Sequence, residues 1–385
     1  MTLKNKTIIL ISSERWGDIF ISKHNYALAL AKRGNRVFFL DPIDTSLPPG
    51  KIKIRDSGAH PDLKVVSYRP FFPMLLKFHQ QYLFEKLIRI AVKRVIRRLK
   101  IRPDIVWDFN CAYLYNDLSV FGAPLKIFNP VDFLSENARN KKADLIISVS
   151  ELILDQYALK DVPRLRLNHG LGEPFAVEAK KTTVAGKNEK VQVGYVGNLA
   201  MNSLDKDVFL RVIRENPDLV FNIIGPTSGK DNNLGVRGED DQISAFILEL
   251  RELQNVILHG PKPQQEVPAM LNKFDILLLC YKRTGSFRCD NSHKMIEYLS
   301  SGKVVVCTYL SVYAGSELVE MTEEDRNGEL PALFKRVAEN VDRYNSEEKQ
   351  RKRKDFALDN TYEKHLSRIE SFIEKNGLIH PKHRI

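Results

Sequence analysis

The chain has 385 residues, 43% hydrophobic and 28% charged, which suits a folded chain of two domains with separate cores and excludes a disordered or fibrous one. No apolar run reaches the roughly 18 residues of a membrane span. Cys111, Cys280, Cys289 and Cys307 lack paired spacing, which argues against a disulfide framework or a zinc site and for reduced thiols. The net charge of +11 is uneven: residues 1–170 hold 28 Lys and Arg against 16 Asp and Glu, and the remainder holds 31 against 32. The first half therefore faces an anionic surface, nucleic acid or membrane.

Residues 7–12 read as a buried strand, 13–21 as a loop holding Gly17 and Asp18, 23–33 as an amphipathic helix closed by Gly34-Asn35, and 37–40 as the next strand. Strand, loop, helix and strand make a βαβ unit with a parallel sheet. The loop lacks the Gly-x-Gly-x-x-Gly spacing, so a dinucleotide site is unsupported. Phe71-Phe72-Pro73-Met74-Leu75-Leu76 is an apolar cluster beside a turn, and 85–102 is a basic amphipathic helix. One reading is membrane contact, with Phe71, Phe72, Met74 and Leu75 inserting and the basic residues meeting anionic lipid. The other is a solvated helix whose Lys and Arg stems cover apolar neighbours. Residues 104–108, 125–128 and 144–148 are further short strands, and Asn129-Pro130-Val131-Asp132 follows the second of these. The first domain spans 1–172, and 173–190 reads as a polar linker. The N-terminus lacks a signal-peptide layout, which points to a cytoplasmic location.

The second domain, 191–355, repeats the alternation. Its strands are 191–198, ending in Gly197-Asn198; 221–225, ending in Gly225; 256–261, holding His259-Gly260; 275–280, followed by Tyr281; and 304–307. Ligands bind such doubly wound sheets outside the carboxyl ends of the strands. Residues 289–306 are the most informative stretch. Asp290 or Asn291 is a suitable N-cap, Met295, Ile296 and Leu299 form an apolar stripe, and Gly302 precedes a buried valine strand. Asn291, Lys294 and Glu297 share one side of that helix. Free amides and Lys294 attract a phosphate, and Glu297, a turn deeper, can accept from a sugar diol. A plain surface helix with a Lys294–Glu297 ion pair is the alternative. Asp205-Lys206-Asp207 reads as the acidic start of a helix rather than a metal site.

Lys294, Glu297-Tyr298-Leu299, Ser301-Gly302-Lys303 and the following valines resemble the nucleotide-sugar signature of GT-B glycosyltransferases. The similarity is to the retaining family-four enzymes of bacterial surface polysaccharide synthesis. The resemblance implies an α/β fold of two Rossmann-like, doubly wound parallel-sheet domains facing a cleft, with residues 356–385 returning to the first domain. It implies glycosyl transfer from a nucleotide diphosphate sugar to a saccharide, lipid-linked or free. The transfer would retain configuration and use neither metal nor another cofactor, with cations and helix amides meeting the diphosphate. Nucleic acid is then no partner, and the basic half faces the membrane. In this family a Glu, seven residues and a second Glu frame the donor site. Glu297 matches the second, whereas Cys289 stands at the first, leaving Asp290 as the candidate to take its part. The implied donor residues are Gly17 on the first domain and Gly197, Asn198, Lys206, Gly225, His259, Gly260, Tyr281, Asp290, Asn291, Ser292, Lys294 and Glu297 on the second. His24, Asp132 and Lys294 are the implied catalytic residues. A nucleotide-sugar epimerase of the same fold, or a non-catalytic nucleotide-sugar-binding protein, would leave these residues in place.

Overall fold

The computed structural model describes residues 3–111, 114–132, 141–157, 162–181, 189–226, 241–284, 287–288 and 290–378. The chain divides into two compact units, Met1–Asn168 with Tyr362–Ile385, and His169–Thr361. The first contains β1 (Thr7–Ile11), α1 (Ser22–Lys32), β2 (Arg36–Leu40), β3 (Ile52–Asp56), β4 (Leu63–Tyr68), α2 (Leu76–His79), α3 (Gln81–Leu99), β5 (Ile105–Asp108), β6 (Leu125–Phe128), β7 (Leu145–Ser148), α4 (Glu151–Asp155) and β8 (Arg164–Arg166). The second contains α5 (Glu173–Ala179), β9 (Gln192–Val196), α6 (Lys206–Arg214), β10 (Val220–Ile224), α7 (Asp241–Glu252), β11 (Val256–Gly260), α8 (Val267–Leu271), β12 (Ile276–Leu279), β13 (Arg283–Thr284), β14 (Phe287–Arg288), α9 (His293–Ser300), β15 (Val304–Cys307), β16 (Glu320–Met321), α10 (Leu330–Ala338), α11 (Val341–Tyr344) and α12 (Glu347–Asp359). The final helix, α13 (Tyr362–Lys375), belongs to the first unit.

The first unit is built on one sheet in the order β3-β4-β2-β1-β5-β6-β7-β8, parallel except for the β3–β4 pair. Short continuous apolar runs such as Thr7–Ile11 suit strands covered on both faces. One face packs against α3, whose Phe84, Ile88, Ala91, Val92 and Val95 are buried at helical spacing. The other carries α1 and α13, with Leu366, Ile369 and Ile373 in the core. Arg33 forks to Glu363 and Glu370, and the Tyr26 hydroxyl lies 3.1 Å from Nδ1 of His365, fastening α13 to α1. The basic helix expected at 85–102 starts earlier, at Gln81, and stops at Leu99 because Lys100 turns left-handed (φ 53°). Pro103, which disfavours helical backbone at Arg102, explains why the pattern cannot run on.

The second unit has a wholly parallel sheet, β11-β10-β9-β12-β15-β16. Its central strand β12, Ile-Leu-Leu-Leu, is buried throughout. Strand order reverses between β9 and β12, the switch point at which open α/β sheets bind ligands. The stretch read as a linker, 173–190, differs from that expectation: its first part folds as α5, with Pro174 in the first turn and Phe175 and Ala179 buried against the second unit's core. The chain passes back to the first unit at Tyr362 rather than 356, since α12 packs against α9 to Asp359.

Candidate functional site

At the switch point the chain leaves β9 at Gly197 and β12 near Tyr281, and α9 begins just beyond them. Gly197 is glycine because there is no room for more: a Cβ there would lie 2.8 Å from the Tyr195 hydroxyl and 2.9 Å from Nζ of Lys294. Gly225, after β10, is held at φ +147°, and a Cβ would fall 2.0 Å from the Gly197 carbonyl oxygen. Two strand ends thus close on each other through glycine backbone. The Tyr298 hydroxyl accepts the Val196 N–H at 2.6 Å, which ties α9 to the end of β9. Lys294, at the start of α9, reaches to 3.5 Å from the Tyr281 hydroxyl. That hydroxyl lies 3.0 Å from Oγ of Ser292, the N-cap residue. The backbone of Tyr281 is fixed in turn by Thr308 Oγ1, which accepts its N–H at 2.9 Å, and by Asn327, which donates to its carbonyl at 2.8 Å. The result is an ammonium group beside helix amides and glycine backbone, an arrangement suited to an oxyanion or phosphate.

Glu297 lies one turn along α9 and is only 9% exposed. Burial raises its carboxyl to about 8, opposed by Lys294. Its neighbour His293 (Nδ1 to Oε1 3.4 Å) is lowered to about 3 by burial, His169 and Lys294. His169 is likewise lowered to about 4 by burial, against its hydrogen bond to the Asn291 backbone, and packs edge-on against His293. The three side chains therefore form a neutral cluster at pH 7, not an ion pair. Asp290 is buried, with one oxygen accepting from Ser311 Oγ at 3.1 Å. It stands next to the site without capping the helix, which was the role expected for Asp290 or Asn291.

The structure brings Gly197, Gly225, Tyr281, Ser292 and Lys294 together, with Glu297 further along α9; Asn291 precedes the N-cap Ser292, so it does not share a helix side with Lys294 and Glu297 as expected. Other expected side chains are turned to different partners. Nζ of Lys206 sits 5.5 Å above the Phe246 ring, on the α7 side of α6. Asp205 is the N-cap of α6, its Oδ1 accepting from the Val208 amide, while its other oxygen accepts from Asn327 at 2.8 Å. The carboxylate is thus used in capping and bracing, as its place at a helix start implied. His259 is directed along the sheet to Oδ1 of Asn222 at 2.9 Å, and burial lowers its pKa. Gly260, the last residue of β11, has φ +68°, accepts the Gly225 N–H at 3.0 Å through its carbonyl, and has open space where a Cβ would lie. Asn198 uses its side chain locally, accepting from the Ala200 amide at 2.9 Å. Cys289 lies outside the described residues.

Gly17, His24 and Asp132 belong to the first unit. Gly17 follows Trp16, whose N–H is bound by Asp41 at 2.9 Å, and Asp132 is exposed beyond the end of β6. The catalytic role expected of His24 does not fit its surroundings. The ring is fully buried between Phe20 and Phe39. Nδ1 accepts the Ile21 N–H at 3.3 Å, and Nε2 is 3.0 Å from the Arg15 carbonyl. Burial lowers it to about 4. With both nitrogens engaged and no exposure, His24 packs α1 against the sheet. Residue type could not reveal this, since the two hydrogen-bond partners come from the loop before it.

Tyr298 stands in the Glu297-Tyr298-Leu299 stretch, one turn from Lys294 on the same helix. Tyr195, Thr308 and Asn327 carry no local signal, because they reach the site through contacts between segments distant in the chain.

The burial of Glu297 has a measurable consequence. Its folded pKa, about 8, lies above the ordinary 4.5. The folded protein therefore keeps a proton that the unfolded chain gives up between these values, so this contribution to stability is lost as pH rises through that window. The limit is about 1.4 kcal/mol per pH unit. The buried histidines act oppositely and mostly below pH 6.5, where the unfolded chain takes up protons that the folded one refuses. Glu297→Gln should flatten the decline between pH 6.5 and 8 and, since the same proton opposes the histidines between pH 4.5 and 6.5, should steepen the rise of stability with pH there. Thermal midpoints across that range, for both proteins, measure it.

The two doubly wound units have the GT-B fold. Solved structures align over almost the whole chain at low sequence identity. The structure of trehalose-6-phosphate from E. coli bound with UDP-2-fluoro glucose matches with TM-score 0.68 and 13% identity, covering 98% of this chain and 100% of that one. Sucrose-phosphate synthase from Thermosynechococcus elongatus matches with TM-score 0.67 and 12% identity over 97% and 99%. Anabaena Alr3699/HepE in complex with UDP and glucose matches with TM-score 0.63 and 12% identity over 95% and 99%. In sequence, the chain is similar to the putative teichuronic acid biosynthesis glycosyltransferase TuaH of Bacillus subtilis, 26% identical over 133 residues. That match covers 34% of this chain and 30% of the relative. No protein-family model matches the chain.

Proposed function

We propose that the protein is a glycosyltransferase that moves a sugar from a nucleotide diphosphate sugar to a saccharide acceptor in cell-surface polysaccharide synthesis. The observation that carries this reading is Lys294, held against Gly197 at the switch point beside the start of α9. A diphosphate there would meet the ammonium and the N-terminal end of α9, and its developing charge would be stabilised as the sugar–phosphate bond breaks. Glu297 would accept from the ribose diol, after losing its proton or through the oxygen that carries none. The likeness to chains solved with UDP-2-fluoro glucose or with UDP and glucose supports a nucleotide-sugar donor. The similarity to TuaH supports a surface polysaccharide as product. We further propose transfer with retention, without a metal, onto a lipid-linked saccharide at the cytoplasmic face of a membrane. Retention rests on the resemblance to the family-four enzymes. Metal independence rests on Lys294 and on the commitment of Asp205 to capping.

The test is a calorimetric screen of UDP, GDP and ADP with the full chain, in excess chelator, followed by incubation of the matching nucleotide sugars. One nucleotide diphosphate should bind, and chelator should not weaken it. Binding only in the presence of manganese, abolished by Asp205→Ala, would overturn the metal-independent reading. Isomerised donor in the absence of any acceptor would identify an epimerase instead.

A further inference from the structure

The first unit carries a surface that this chemistry does not use. Residues 69–102 hold ten Lys and Arg against one acid, Glu85, and so supply most of the charge excess of residues 1–170. Because α3 buries Phe84, Ile88, Ala91, Val92 and Val95, its outer side presents Lys86, Arg89, Lys93, Arg97 and Arg98. At the start of this face stand Leu75, Phe78 and Tyr82, 67%, 77% and 73% exposed, more than the other exposed large apolar side chains of the described residues. Nζ of Lys77 lies 5.6 Å from the Phe78 ring and Nζ of Lys86 lies 4.3 Å from the Tyr82 ring, so cations flank the apolar tip. The apolar run expected to insert is mostly unavailable: Phe72 is buried, Met74 is half-buried, and Phe71 is covered by the Arg94 guanidinium at 4.2 Å.

We propose that this face docks on an anionic lipid bilayer, with Leu75, Phe78 and Tyr82 inserted at headgroup depth and the basic side of α3 over the lipid charge. Complementary charge selects the partner. A second copy of the chain would place two strongly basic faces together, which repels. A nucleic acid would satisfy the cations but would leave an aliphatic and two aromatic tips in water. A bilayer satisfies both, since interfacial helices combine a basic face with a shallow apolar wedge. The inference deepens the reading of a lipid-linked acceptor, yet it concerns only the first unit and stands or falls separately from nucleotide binding.

Flotation of the full chain with vesicles decides it. Vesicles of phosphatidylcholine and phosphatidylglycerol should carry the protein, pure phosphatidylcholine vesicles should carry little, and raised salt should weaken the binding. Lys86→Gln with Lys93→Gln and Arg97→Gln should lower partitioning on the order of 100-fold, as three basic residues near an anionic leaflet imply. Leu75→Ser with Phe78→Ser and Tyr82→Ser should remove the part of the binding that survives salt. Both variants should keep wild-type circular dichroism, thermal midpoint and nucleotide binding, since every changed side chain is exposed. Equal binding to neutral and anionic vesicles, or none to either, overturns the proposal. So does a wild-type dimer that the apolar variant turns into a monomer, or vesicle binding that both variants leave intact.

Discussion

Lys294→Ala should lower kcat for glycosyl transfer by about 10²–10³-fold, the range seen when one fixed donor to a developing anion is removed. The ammonium stands where charge appears as the nucleotide diphosphate departs, beside Gly197 and the start of α9. A group that acts mainly at this stage affects turnover more than donor affinity. KM for the donor should therefore change much less than kcat. Lys294→Arg should not rescue activity, because the larger guanidinium has no space beside a Gly197 whose missing Cβ would already lie 2.9 Å from Nζ. Steady-state kinetics of the three proteins, with circular dichroism as a check on folding, test this. A raised KM with unchanged kcat would show that Lys294 only helps to hold the donor. Unchanged kinetics in both variants would remove the reason for placing the diphosphate here.

Much of this arrangement was legible in the chain. Buried parallel strands are short continuous apolar runs, so Ile276–Leu279 and Val304–Cys307 could hardly be read otherwise. The helix at His293–Ser300 announced itself by Met295, Ile296 and Leu299 followed by Gly302. What spacing cannot show is which distant segments meet. Gly197 and Lys294 are neighbours because β9 pairs with β12 and β12 with β15, and no local pattern encodes that register. Lys206 illustrates the converse. Its position in a charged triplet suggested a diphosphate contact, but burial of Val208, Phe209, Val212 and Ile213 fixes the rotation of α6, and Nζ lies over Phe246. Apolar side chains were equally ambiguous. Phe71, Phe72, Phe78 and Tyr82 look alike in sequence, and only packing distinguishes the pair turned inward from the pair left in solvent.

The charge in the first half also includes a buried pair unlike the exposed cations. Lys141 and Asp108 are both fully buried, with Nζ 2.8 Å from Oδ2. Lys141 also donates to the Asn110 carbonyl, and Asp108 accepts the Asn110 N–H at 2.8 Å, so the pair braces the turn after β5. Burial raises the Asp108 pKa even though Lys141 opposes it, which shows how costly desolvation is here. Asp108→Ala should therefore cost about 3–5 kcal/mol, because it strands a buried ammonium. Replacing both partners, Asp108→Leu with Lys141→Met, should recover most of that loss, since apolar groups need no partner. The variant that keeps Asp108 should also respond to pH. In Lys141→Met the carboxylate has lost its cation and its folded pKa rises further, so stability falls as pH rises through that value. Both tryptophans of the chain, Trp16 and Trp107, lie in the first unit, and Trp107 adjoins Asp108. Urea unfolding followed by tryptophan fluorescence thus reports this unit directly. A loss below about 1 kcal/mol for Asp108→Ala, the usual worth of an exposed ion pair, would show that water reaches the pair and that it is not a buried brace.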